Sequence, residues 1–140
     1  MTQSSAMSMP AREHMLTSID QVHLERMTLG DRSLEREVLE IFARQTAMTL
    51  QRIAGAGPAR TAAAAHTLKG SARGIGAWRV AAAAERLEQA AASAADDGEV
   101  MLAAIAELEA ASFEARLAIG LRLRETDGAP AAGRGRSRDH

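Results

Sequence analysis

Cysteine is absent from this 140-residue chain, which excludes disulfides, thiolate metal sites and cysteine nucleophiles. Aromatic residues amount to only 2% while hydrophobic residues of all kinds reach 46%, so the core must be built from Ala, Leu, Ile, Val and Met, a composition that favours helices. Neither sign of charge is in excess. Lys+Arg 17 against Asp+Glu 18 gives a net charge of −1 and a pI near 6.4, which argues against a surface built to grip a polyphosphate backbone, and nucleic acid is not an expected partner. No run approaches the ~18 uninterrupted apolar residues that spanning a bilayer requires, because charges interrupt even the alanine tracts. Met1 to Pro10 lacks the basic and apolar regions of a signal peptide. A cytoplasmic protein without membrane attachment is the expectation. Also missing are a glycine-rich phosphate loop and a second acidic cluster to hold ATP and its metal, so the chain is not expected to phosphorylate itself from ATP.

What is present is helical patterning. A length of 140 residues and 14.8 kDa fits one domain. Ser18 and Gln21 form a candidate capping box for a short first helix that ends near Leu29-Gly30, with Gly30 suited to a left-handed cap. Asp31 caps a long second helix, along which Leu34, Val38, Ile41, Phe42, Met48, Leu50 and Ile53 recur at near-helical spacing before Gly55-Ala56-Gly57-Pro58. Pro58 opens a third helix from Ala59 to Ala72 or Arg73. Its wheel places Thr61, Ala64, Leu68, Ala72 and Ile75 on a core stripe and Ala59, Ala62, Ala63, His66, Lys69, Gly70 and Arg73 on the other side. After a turn at Gly74 to Gly76, a fourth helix runs from about Ala77 to Ser93 with Val80, Ala84, Leu87 and Ala91 inward, and Asp96-Asp97-Gly98 breaks it. A fifth spans about Gly98 to Leu123, carrying Met101, Leu102, Ile105, Leu108, Ala111, Leu117 and Ile119. Short connections make successive helices antiparallel neighbours, so the expected fold is all-α: an up-down antiparallel four-helix bundle with an additional short N-terminal helix. Residues 1–17 read as a flexible leader, 18–123 as the domain, and 124–140 as a disordered Gly/Arg-rich tail.

The most informative residue is the single lysine. Every other Lys/Arg position is arginine, yet Lys69 stands three residues after His66 in His66-Thr67-Leu68-Lys69-Gly70-Ser71-Ala72. Positions i and i+3 share a helix face. Gly70 costs roughly 1 kcal/mol relative to alanine inside a helix, in a chain where alanine is abundant, so something needs the missing side chain. An imidazole, a compact cation and bare backbone one turn on make a landing site for a phosphoryl group and an incoming protein surface.

With Gly74-Ile75-Gly76-Ala77 following, this stretch resembles the signature of histidine phosphotransfer (HPt) domains, and the flanks Asp20 to Asp31 and Leu87-Glu88 resemble them too, over roughly residues 18–123. The resemblance implies that His66 is the phosphorylated nucleophile of a two-component phosphorelay, since a neutral imidazole supplies a lone pair near neutral pH. Lys69 would stabilise phosphoryl charge, Gly70 would leave steric access, and Arg73 ranks second as a further cation. The family places a polar residue of the next helix beside the histidine, and Glu88 holds that position here; it would accept from one ring nitrogen and orient the other, although its charge also opposes a phosphoryl group. Ala62, Ala63, Lys69, Gly70 and Arg73 form the expected partner surface. The implied partners are response-regulator receiver domains and hybrid sensor histidine kinases, with Mg²⁺ held by the receiver and no metal or cofactor bound by this chain, acting as a monomer. The amino-terminal domain of chemotaxis-type kinases carries a similar motif, but this chain ends where a kinase domain would begin. The alternative is a non-catalytic helical adaptor binding through the His66 face.

His14, His23 and His140 lack such context and are expected to be solvated. Asp20 and His23, three apart, are too sparse a set for the paired carboxylate and Glu-x-x-His ligands of a di-metal bundle. Trp78 suits packing or a partner edge better than cofactor stacking, and Arg134-Gly135-Arg136-Ser137-Arg138 suits a soluble terminus.

Overall fold

The computed structural model describes residues 18–93 and 98–128, and all regular structure among them is helical. The elements are α1 (Gln21–Met27), α2 (Arg32–Ile53), α3 (Pro58–Ile75), α4 (Trp78–Ala92) and α5 (Gly98–Gly128). Asp20 caps α1 in place of the expected Ser18, accepting from the His23 N–H at 3.1 Å. Ser18 is buried beside it. Asp31 caps α2 as expected, accepting from Leu34 N–H at 3.0 Å. Pro58 sits at the first turn of α3, where its missing N–H leaves no bond unmade.

Helix α3 continues through Gly74 to Ile75, past its expected end at Ala72 or Arg73. Gly76 terminates it with φ at +85°, and the Ala77 N–H donates to the Ala72 carbonyl at 2.8 Å, the pattern of a Schellman cap. Glycine is required there twice over. A Cβ at residue 76 would also lie 3.0 Å from the Cβ of Asp20. At the other end of the chain, α5 runs on to Gly128, beyond the expected Leu123. The leader 1–17 with His14, the Asp96-Asp97 break, and residues 129–140 with the arginine cluster and His140 lie outside the described residues.

Helix α2 packs on α3 and α5, α4 packs on α3 and α5, and α1 lies against α3, which closes a helical bundle around one core. Leu24, Leu39, Phe42, Leu68, Val80, Leu87, Leu108 and Ile119 are its largest fully buried apolar side chains, each worth roughly 1.5–3 kcal/mol of burial. The inward faces differ from the expected ones in an instructive way. On α2 the buried positions are Glu35, Leu39, Phe42, Thr46, Thr49 and Ile53, spaced four and three apart, whereas Leu34, Ile41 and Met48 are 40%, 52% and 52% exposed. Two of these polar residues hold core positions because their polar atoms are satisfied: the Thr46 hydroxyl donates to the Phe42 carbonyl at 2.8 Å, and Arg122 of α5 donates to the Glu35 carboxylate. On α5 the buried line is Ala104, Leu108, Ala111, Ala115 and Ala118, while Leu102 and Leu117 point outward. On α3, Ala65 rather than Ala64 completes the stripe with Thr61, Leu68, Ala72 and Ile75. The expected inner face of α4 holds, with Ala81 and Ala83 added.

Helix α1 is fixed by a polar staple. The Trp78 indole N–H donates to Asp20 Oδ2 at 2.8 Å, and this bond, with that from the His23 backbone, holds the Asp20 carboxyl below its usual range. The His23 ring rests against Trp78 with centroids 5.0 Å apart, and its Nε2 donates to the Gly74 carbonyl at 3.1 Å. His23 is thus a half-buried structural residue instead of a solvated one, and Trp78 is a packing residue.

Candidate functional site

Alanine determines how closely α3 and α4 approach. Ala65 and Ala72 of α3 and Ala81 and Ala84 of α4 are all buried, and small side chains at a helix interface let the backbones draw together. A glutamate of α4 can therefore reach two residues of α3 at once. Glu88 does so: Oε2 accepts from His66 Nδ1 at 2.8 Å, and Oε1 accepts from Lys69 Nζ at 2.8 Å. Because a carboxylate can only accept, Nδ1 carries the ring proton and the lone pair belongs to Nε2. The His66 side chain is 66% exposed, and its Nε2 has no hydrogen-bond partner among the described residues. The contact with Lys69, ahead of that with His66, holds the Glu88 carboxyl below the ordinary glutamate value.

Lys69, the cation of the expected site, is held in place by the same carboxylate. Its side chain is only 15% exposed and is committed to Glu88, which leaves its other two N–H donors for an incoming acceptor. Arg73 is exposed and donates to Glu85 at 3.3 Å. Gly70 is exposed one turn beyond His66, and a Cβ there would meet nothing within 4 Å; the bundle's packing does not require glycine, and the space stays open beside the imidazole. Ala63 is exposed and Ala62 half-buried. His66, Lys69, Gly70, Ala62, Ala63, Arg73 and Glu88 thus share one side of the molecule. Asp20 and His23 lie at the far end of α3, about 12 Å of helical rise from His66 to Gly74. No group of three or more His, Asp or Glu side chains among the described residues could hold a metal ion.

Two features escaped the sequence reading. Glu85 and Glu88, three apart on α4, form an acidic edge that faces Lys69 and Arg73, four apart on α3; the matching spacing was the available signal. The second is a groove of about 550 Å³ between α2 and α3, floored by Ala63, Ala64 and Thr67 and walled by Ile41 and Met48, whose outward orientation the apolar periodicity of α2 had misassigned.

Fold and site together define a helical-bundle protein that presents one exposed, carboxylate-oriented histidine on its surface. Residues 37–115 match the Hpt domain family, and the chain belongs to that family, whose members serve phosphotransfer in two-component signalling and interact with receiver domains and kinases. No curated protein and no solved structure gave a significant match to the chain. No described helix is long and apolar enough to cross a membrane.

Proposed function

We propose that this protein is a cytoplasmic, monomeric phosphorelay intermediate that accepts a phosphoryl group on His66 from a receiver-domain aspartate and returns it to another. The observation that carries this reading is the Glu88 bridge, which accepts from Nδ1, holds the ring proton there and leaves Nε2 as a solvent-facing nucleophile. The Nε2 lone pair forms the N–P bond as the acyl-phosphate O–P bond breaks, and the aspartate leaves as a carboxylate. The ring then carries both its Nδ1 proton and the phosphoryl group and is formally cationic, so the Glu88 charge that opposes phosphate also stabilises the product ring. Lys69 has donors left for the phosphoryl oxygens, and Gly70 leaves room for them. Any Mg²⁺ required would be held by the receiver's own carboxylates. The short α3–α4 and α2–α3 connections suit the up-down four-helix arrangement, with α1 across one end, and residues 18–123 as the functional domain.

The test is phosphoryl transfer from a panel of phosphorylated receiver domains to the wild type and to His66→Gln, following acid-labile, base-stable label without ATP. Label on the wild type alone is expected. Label absent from the wild type, with receivers that still bind it, would instead identify an adaptor.

A further inference from the structure

The groove between α2 and α3 carries charge of one sign. Arg44 and Arg52 of α2 and Arg60 of α3 line it, no carboxylate does, and none of the three arginines has an ion-pair partner among the described residues. Along the α3–α4 and α4–α5 seams arginines are matched instead: Arg73 with Glu85, Arg79 with Glu114 and Arg86 with Glu107. A chain of net charge −1 has thus placed three uncompensated guanidiniums around an apolar strip in which Ile41 and Met48 are each 52% exposed. Ala63 and Thr67 in its floor flank His66 along α3. An object seated there lies against the open side of the imidazole, whereas the α4 side is closed by Glu88 and Lys69.

We propose that this groove receives an amphipathic, carboxylate-bearing helix of the phosphoryl donor or acceptor, with Ile41 and Met48 meeting its apolar face and Arg44, Arg52 and Arg60 pairing with its acidic flanks. The proposal rests on the phosphorelay reading and names what selects the partner at that same site. Guanidiniums suit this task because they present several donors in a fixed fork that matches carboxylates, and unpaired charge of one sign raises association rates in a salt-dependent way. The arginines belong to partner choice and leave the chemistry at Nε2 to His66.

The experiment uses the full chain, the receiver that transfers fastest in the panel, and the charge-reversed variant Arg44→Glu, Arg52→Glu, Arg60→Glu. Phosphoramidate, a small donor that needs no docking, labels His66 in parallel as a report on the imidazole itself. Receiver-dependent transfer at sub-saturating concentration is expected to fall at least 30-fold through KM, to lose most of its salt dependence, and to do so out of proportion to any change in phosphoramidate labelling. Transfer equal to wild type would overturn the groove while leaving the phosphorelay reading intact. A fall shared equally by both donors would place the effect on the imidazole and overturn it as well. Failure of every receiver to label the wild type would remove the phosphorelay reading and this proposal together. A wild type that sediments as a dimer, and as a monomer once charge-reversed, would assign the groove to a second copy of the chain.

Discussion

The two flanks of α3 are built on opposite plans. Towards α4 the seam is narrow, lined by alanine and crossed by charged pairs, with Glu88 holding His66 and Lys69 at 2.8 Å each and Glu85 meeting Arg73. Towards α2 the seam widens into a groove whose isoleucine and methionine face water and whose arginines are uncompensated. The histidine stands between them. One flank fixes the ring; the other leaves space beside it. A fixed imidazole next to an unfilled surface is what the proposed transfer between proteins demands, because positioning supplies most of the chemistry of phosphoryl transfer.

The contrast can be broken from its tight side. Replacing Ala84, which is fully buried in α4, by leucine should force α3 and α4 apart at a cost of about 1–3 kcal/mol, as overpacked cores show; a urea denaturation curve measures it, and an unchanged midpoint would show that the seam has slack. Removing the bridge without widening the seam is gentler. Glu88→Ala is expected to slow single-turnover transfer to His66 by roughly tenfold, short of the ~10²–10⁴ lost with a full acid–base partner, and an unchanged rate would remove Glu88 from the mechanism.

Acidity sharpens the same point. The Glu88 carboxyl is held below its ordinary value of 4.5, chiefly by Lys69, so the bridge's contribution is complete above the unfolded glutamate value and is lost as pH falls through the lower folded one. A carbon-detected NMR titration should place the Glu88 midpoint under 4.5 in the wild type and move it upward in Lys69→Met; an identical midpoint in both would contradict the assigned cause. The smallest effect belongs to the open flank. Ile41→Ser and Met48→Ser should each alter unfolding stability by less than about 0.5 kcal/mol, as exposed positions do, and a larger loss would mean that the groove is part of the core after all.

Much of this was legible in the amino-acid order, for reasons that are local. Asp31 acts through its own side chain and Pro58 through its own ring, so each marks its boundary directly. The spacing of His66, Lys69 and Gly70 placed them on one helix face before any tertiary contact was known. What could not be read depended on partners distant in sequence. Glu35 and Thr46 look like surface residues until Arg122 and the Phe42 carbonyl satisfy them, and that exchange rotated the apparent apolar face of α2, hiding the groove. His23 looked solvated because its contacts, Trp78 and the Gly74 carbonyl, lie on other helices. Alanine periodicity on α3 was misread by one position, Ala64 for Ala65, since a tract of alanines carries little contrast between inside and outside.

The single lysine has a consequence outside phosphoryl chemistry. Lys69 carries the only side-chain amine in the chain, and that amine is largely shielded: its side chain is 15% exposed with Nζ 2.8 Å from the Glu88 carboxylate. An amine-acylating reagent can therefore add to this protein at one side chain alone, and the mass of the peptide that holds Lys69 reports the event. The acylation half-life becomes a clock on how often the carboxylate lets the ammonium go.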